Sequence, residues 1–390
     1  MIRSPRLRVA LFTGNFNYTR DGAAQALGRL VDHLRDVENA DVRIYSPTSP
    51  DAVEGRTPGL VSVPSVSLPG RPEYRLALGL TAEIRRDVTD FAPDIVHLST
   101  PDILGFQAQQ FARQAGIPAV ASLHTRFETY LAYYGLGWLE PVLDQMLRRF
   151  YQKCDYVLAP SAPIAETLVT EGLTNPIRIW SRGVDRTLFD PSRRDAAWRA
   201  GQGFRPEDVV VLFFGRVVME KGLGLFADTL HRLRQTHRNI RILVVGDGPA
   251  RPWLAERLPD ATFTGMLAGP ELARAVASAD ILLNPSATEA FGNVVLESMA
   301  SGLAIACADM PSSRALVADG VSALLCAPAD LDSYTAALEQ LISRPALRAS
   351  LAGAARQASA AFSWSAALSS VVDVYREALA IADVREPTAA

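Results

Sequence analysis

The chain has 390 residues, 48% hydrophobic and 21% charged, with a formal net charge of -3. That length suggests two or three globular domains, and the near-neutral charge supplies no basic surface for nucleic acid. Cys154, Cys307 and Cys326 have no paired spacing, which suits a reducing compartment and gives no zinc or redox motif; no apolar run approaches the length of a membrane span.

In chain order, Arg3, Arg6 and Arg8 precede the apolar run Val9-Ala10-Leu11-Phe12, too short for a signal-peptide core and read as a first strand over 7–12. A loop containing Gly22 leads into a helix over 23–35, with Leu27, Leu30, Val31 and Leu34 on one face. Gly22 at this helix start would let backbone approach a phosphate. The loop is not a G-x-G-x-x-G fingerprint, so a nicotinamide site is disfavoured. Short apolar runs at 42–45, 95–98, 119–123 and 156–159 read as buried strands separated by helices. This alternation predicts a parallel α/β sheet.

Residues 182–208 carry Gly183, Pro191, Gly201, Gly203 and Pro206 with little periodicity, and read as an interdomain connection. A second alternation follows, with strands at 209–214, 240–245, 261–263, 281–283 and 303–307. Residues 364–384 read as a final helix before a polar tail. Open α/β sheets bind ligands beyond the carboxyl ends of their strands, and the chemistry-bearing residues fall there.

Arg216 and Lys221 stand five apart across a glycine turn after the strand at 209–214; the only other lysine is Lys153. A planar guanidinium and a compact ammonium there suit a diphosphate, although two surface cations would look the same. Gly246 and Gly248, then Met266 and Leu267, follow the next two strands. The segment 285–302 holds two acids, Glu289 and Glu297, around Phe291, Gly292 and Asn293. Asn293 reads as the N-cap of a helix that Gly302 stops. Free N–H groups at a helix start attract phosphate, and flanking carboxylates suit sugar and ribose hydroxyls. The plain alternative is an ordinary helix with two solvated acids. His124 and Arg126 follow the strand at 119–123, where a lone histidine is commonly structural. Residues 69–80 and 130–153 mix arginines with aromatic and aliphatic side chains, which suits an interface with lipid or an ordinary core.

These strings together resemble the signature of the family-4 retaining glycosyltransferases, built on the GT-B fold of two Rossmann-like domains facing across a cleft. The resemblance spans nearly the whole chain and looks most like the bacterial lipid-glycosylating branch: sulfoquinovosyl, mannosyl and glucuronosyl transferases. It implies an acceptor-binding domain over 1–183, a nucleotide-sugar-binding domain over 184–365 and a C-terminal helix over 366–390 returning to the first. It implies that His124, Arg216, Lys221 and Glu289 serve catalysis, with His124 orienting the sugar. Gly22, Gly246, Gly248, Met266, Leu267, Phe291, Gly292, Asn293 and Glu297 would hold the donor, and Glu297 the ribose diol. Arg126 and Arg182 are possible sugar or acceptor contacts; Arg182 stands where many members have Asn. Departing from the family, Asp21-Gly22 replaces two adjacent glycines.

The expected activity is transfer of a hexose or hexuronic acid from a nucleoside-diphosphate sugar, a UDP-sugar such as UDP-glucuronate favoured, to a lipid hydroxyl such as that of diacylglycerol or ceramide. No metal and no cofactor are expected. An anionic membrane surface is the expected partner, on the cytoplasmic face, with no nucleic acid; the oligomeric state stays open. The alternatives are a GDP-mannose-dependent or polysaccharide transferase, a nucleotide-sugar 2-epimerase, and a non-catalytic nucleotide-sugar-binding subunit.

Overall fold

The structure is a computed structural model that describes residues 6–16, 22–48, 57–68, 71–124 and 137–385. It divides into two compact units. Of the described residues, the first holds those up to His124, Trp138–Ser181 and those from Ser365 onward; the second holds Gly137 and Arg182–Trp364.

The first unit contains β1 (Arg8–Phe12), α1 (Gly22–Asp36), β2 (Asp41–Ser46), β3 (Leu60–Ser62), β4 (Ser65–Leu68), β5 (Arg71–Ala77), α2 (Ala82–Phe91), β6 (Ile95–Leu98), α3 (Ile103–Gln114), β7 (Ala119–Ser122), α4 (Glu140–Tyr151), β8 (Tyr156–Ala159), α5 (Ala162–Thr170) and β9 (Ile177–Ile179). Its seven-stranded sheet has the order β3-β2-β1-β6-β7-β8-β9, with every pairing parallel. Strands covered on both faces read as near-continuous apolar runs, as β8 does throughout and β6 does but for His97. In α1 the expected face, Leu27, Leu30, Val31 and Leu34, is buried. The β4–β5 antiparallel hairpin occupies part of the segment read above as an acceptor surface.

The second unit contains α6 (Ala196–Gly201), β10 (Val209–Phe214), α7 (Leu223–Leu233), β11 (Ile240–Val245), α8 (Arg251–Arg257), β12 (Thr262–Gly265), α9 (Gly269–Ala277), β13 (Ile281–Asn284), α10 (Asn293–Ala300), β14 (Ala304–Ala308), α11 (Pro311–Arg314), β15 (Leu324–Cys326), α12 (Leu331–Ser343) and α13 (Pro345–Ala358). Its six-stranded parallel sheet runs β12-β11-β10-β13-β14-β15. The order in which strands are added across the sheet reverses between β10 and β13, which makes the gap beyond their carboxyl ends a topological switch point.

Residues 182–208 are not a free connection. They lock into the second unit through Arg194, whose guanidinium meets Asp280 at 2.7 Å, and Arg199, which donates to Ser278 O at 2.6 Å. Two arginines satisfying carbonyls and one half-buried carboxylate give this stretch its order without any apolar periodicity. The final helix, α14 (Trp364–Arg385), is grouped from Ser365 onward with the first unit, where Glu377 pairs with Arg178 at 2.9 Å. All three cysteines are unpaired and buried, and burial pushes each thiol up to about 12, so none is a reactive thiolate.

Candidate active site

In the second unit the loops after β10 and β11 are joined by backbone. The Gly215 N–H donates to Val245 O at 3.0 Å, Val217 N–H to Asp247 O at 2.9 Å, and Ala250 N–H to Val217 O at 3.0 Å. A Cβ on Gly246, at φ +135, would sit 1.9 Å from Gly215 O, and one on Gly248 would sit 2.4 Å from Val217 O. Both glycines, expected to serve donor binding, also have a packing reason to stand at this junction. Their N–H groups are already engaged, Gly246 with Gly265 O at 2.9 Å and Gly248 with Asp247 Oδ1 at 2.8 Å. These glycines exist because two backbones touch.

Beyond that junction a 3-10 turn, Met219–Lys221, ends at Gly222, whose φ of +73 starts α7. A Cβ there would lie 2.8 Å from Pro285 O, so the lysine loop packs directly on the loop after β13. The buried Thr288 hydroxyl donates to Glu220 O at 3.3 Å across the same seam. The result brings two expected site residues together: Lys221 Nζ donates to Glu289 Oε1 at 2.6 Å. Arg216, on the loop after β10, is half-buried.

The helix after Glu289 starts one residue earlier than expected. Gly292, at φ +101, is the N-cap of α10, and Asn293 is its first helical residue. A left-handed cap suits glycine, and the asparagine amide makes no capping bond. Instead Asn293 Oδ1 is buried with no protein partner, as is Ser286 Oγ on the same segment. Buried orphan polar atoms beside a helix start are where a polar ligand or water completes the bonding. Gly302 takes the expected left-handed stop, with the Leu303 N–H donating to Ser298 O at 3.1 Å. Glu297 is half-buried within α10. The Phe291 side chain is buried in the core, Leu267 is half-buried against it, and Met266 is 62% exposed.

In the first unit Gly22 opens α1 and is exposed. His124 lies after β7, where Ser122 Oγ is 2.8 Å from its Nε2 and Trp180 packs edge-on. Arg126, and 130–136 of the suggested acceptor surface, lie outside the described residues. Arg182 is buried, and burial lowers its pKa to about 10, which leaves it cationic at neutral pH. Sequence reasoning missed three buried polar groups of the first unit. His97 and Tyr375 are buried in line with Ser122 and His124. Asp102 caps α3, and burial pushes its carboxyl up to about 6. A histidine inside the strand Ile-Val-His-Leu was the available signal for the first.

The chain's one Asp-x-Asp triplet, Asp330-Leu331-Asp332, opens α12. Asp330 accepts from Asp332 N and Ser333 N, and Asp332 pairs with Arg232. Both carboxylates thus serve helix capping and surface pairing.

Residues 20–188 match the family model described as Glycosyltransferase Family 4, and residues 208–344 that described as Glycosyl transferases group 1. The chain is similar to the sulfoquinovosyl transferase of Arabidopsis thaliana, 31% identical over 383 residues, covering 95% of this chain and 73% of that one. It is 33% identical over 345 residues to a GDP-mannose-dependent alpha-mannosyltransferase of Mycolicibacterium smegmatis, covering 85% and 87%. It is 27% identical over 356 residues to an alpha-monoglucosyldiacylglycerol synthase of Streptococcus pneumoniae, covering 87% and 79%. Among solved structures, sucrose-phosphate synthase from Thermosynechococcus elongatus shares the fold with a TM-score of 0.78 at 18% identity, covering 96% of this chain and 100% of that one.

Two Rossmann-like parallel-sheet units, the second with cations, acids and a helix start at its switch point, define a GT-B glycosyltransferase that uses nucleotide sugars. The protein belongs to glycosyltransferase family 4.

Proposed function

We propose that the protein is a retaining, metal-independent hexosyltransferase without a cofactor, moving a hexose or hexuronic acid from a UDP-sugar to a lipid hydroxyl at the cytoplasmic face of a membrane. Arg216 and Lys221 hold the diphosphate and stabilise the charge that develops as it leaves. The first turn of α10 adds backbone donors. Glu297 takes the ribose diol, and Glu289 a sugar hydroxyl. His124 orients the sugar.

One observation carries the lipid acceptor. Trp138, Val142 and Met146, four residues apart along α4 and the turn before it, are 74%, 65% and 41% exposed. Arg149 and Lys153 are exposed further along the same segment. An aromatic and aliphatic stripe ending in two cations suits shallow insertion into an anionic bilayer. Among the described residues no helix is long and apolar enough to cross one. The diacylglycerol named in one relative supports the same acceptor class. Of the other cations on these segments, Arg148 is paired with Asp144 at 2.8 Å and Arg75 is bound to Ser65, so Arg149 and Lys153 are the ones to test.

The assay is a donor panel with total lipid extract in EDTA, read by mass spectrometry and by the anomeric configuration of the product. A glycolipid keeping the donor's configuration is expected. An inverted product or a strict metal requirement overturns the mechanism, and exclusive transfer to soluble acceptors overturns the lipid reading. Wild-type protein should sediment with anionic vesicles, less so as salt rises and less in Arg149→Glu/Lys153→Glu. The mannosyltransferase relative favours a second donor, GDP-mannose. Thermal-shift titration with UDP and GDP separates the two.

A further inference from the structure

Four side chains of the first unit form a hydrogen-bonded line from its last helix to the segment after β7. Tyr375 Oη lies 2.5 Å from His97 Nδ1, His97 Nε2 lies 2.9 Å from Ser122 Oγ, and Ser122 Oγ lies 2.8 Å from His124 Nε2. Tyr375 and His97 are 0% exposed and Ser122 1%. The Trp180 ring walls the line, edge-on to both imidazoles at 5.8 and 5.2 Å.

The direction of donation is decided at the tyrosine. Burial raises the Tyr375 pKa, so the phenol keeps its proton. Among the described residues its hydroxyl has one hydrogen-bond partner, His97 Nδ1. If Nδ1 were the donor, the phenolic proton would be buried with no acceptor. Tyr375 therefore donates. Burial also pulls the His97 pKa down to about 3, so its ring is neutral and carries a single proton. With Nδ1 accepting, that proton sits on Nε2 and is donated to Ser122 Oγ. The serine's own proton then has His124 Nε2 as its acceptor. A neutral His124 is left with its proton on Nδ1.

We propose that Tyr375, His97 and Ser122 are positioning residues that hold His124 in the Nδ1–H tautomer, with Nε2 occupied as an acceptor. His124 then serves as a hydrogen-bond donor through Nδ1 and cannot take a proton from an acceptor hydroxyl through Nε2. That the donor meets the sugar rests on the function proposed above; the tautomer does not. The line also gives the last helix a part in the chemistry, because Tyr375, which sets the direction, lies 278 positions beyond His97, the ring it donates to.

The test is long-range proton–nitrogen NMR of the full chain labelled with 15N-histidine, the His124 signals being assigned by their loss in His124→Gln. The expected wild-type spectrum shows a protonated Nδ1 and an unprotonated Nε2 at His124. Tyr375→Phe removes the proton that sets the direction, so both His124 nitrogens should move toward the average of the two tautomers. Turnover at saturating donor should fall about tenfold, as when a partner that orients an active histidine is lost. Ser122→Ala cuts the same line and serves if Tyr375→Phe does not fold. A wild-type Nε2–H tautomer, or unchanged His124 signals in both variants, overturns the proposal. If the tautomer moves and turnover does not, the sugar role of His124 fails while the positioning assignment stands.

Discussion

The Lys221 ammonium and the Glu289 carboxylate meet at 2.6 Å across 68 residues of chain, with their side chains only 14% and 20% exposed. Gly222 and Pro285 bring them together by letting one loop backbone rest on the other. A largely buried pair is screened less than a surface one. The group proposed to hold diphosphate is thus already held by the group proposed to hold sugar, and each should report on the other.

Removing the cations should damage turnover without unfolding the protein. Lys221→Ala and Arg216→Ala should each lower kcat/KM by the equivalent of roughly 2–4 kcal/mol, the scale of a lost preorganised electrostatic contact. Steady-state kinetics beside circular dichroism checks this. Near-normal rates in a folded variant would remove the assigned role.

Glu289→Gln should separate binding from chemistry. Turnover should fall at least about tenfold through loss of a charged sugar contact, about 1.5–3 kcal/mol. Nucleoside diphosphate should bind as tightly as before or tighter, because Lys221 no longer has a competing carboxylate. Calorimetry reads the second effect, and weaker binding would give Glu289 a nucleotide role.

Glu297→Gln should do the reverse. Losing a charged acceptor for the ribose diol should weaken nucleoside diphosphate by about 1.5–3 kcal/mol. Turnover at saturating donor should change little. Calorimetry and kinetics on one preparation decide it.

Gly246→Ala tests the backbone junction. The added Cβ would stand 1.9 Å from a carbonyl oxygen at a φ of +135, so both clash and strain apply. A stability loss of about 3 kcal/mol or more is expected. Gly353→Ala, inside α13 with nothing within 4 Å of the new methyl, should stabilise by about 1 kcal/mol. Denaturant melts of the two variants should therefore move in opposite directions.

Asp102 makes a prediction about pH. Burial raises its carboxyl from 3.8 to about 6, so the folded protein holds that proton longer than the unfolded chain. Its contribution to stability falls as pH rises from about 4 to about 6 and stays low above. Asn keeps an N-cap but cannot ionise. Asp102→Asn should match wild type below pH 4 and exceed it by about 2–3 kcal/mol at pH 7–8, at 1.36 kcal/mol per unit. His97, held near 3, loses stability in the opposite direction, as pH falls below 6.5, but contributes to both proteins and cancels in the difference. A constant difference across pH would sink the assignment.

Mostly apolar strands of four to six residues were legible residue for residue at 95–98, 156–159, 209–214 and 240–245. The three-residue strands β3, β9 and β15 were not, because three residues carry no period and their partners lie elsewhere in the chain. The segment 285–302 announced its acids and its helix, yet the cap was misplaced by one residue. Propensity favours asparagine as a cap, but the observed left-handed turn suits Gly292.

Composition, apolar period and glycine placement act over a few neighbouring residues, so a linear reading reaches the two α/β alternations, the loops at their strand ends and the family they resemble. Folding alone decided that Gly246 answers Gly215, that Lys221 answers Glu289, and that Tyr375 reaches His97. Each of these is a contact between segments whose separation along the chain says nothing about their distance in space. Only close packing, with every buried proton and carbonyl needing a partner, selects them.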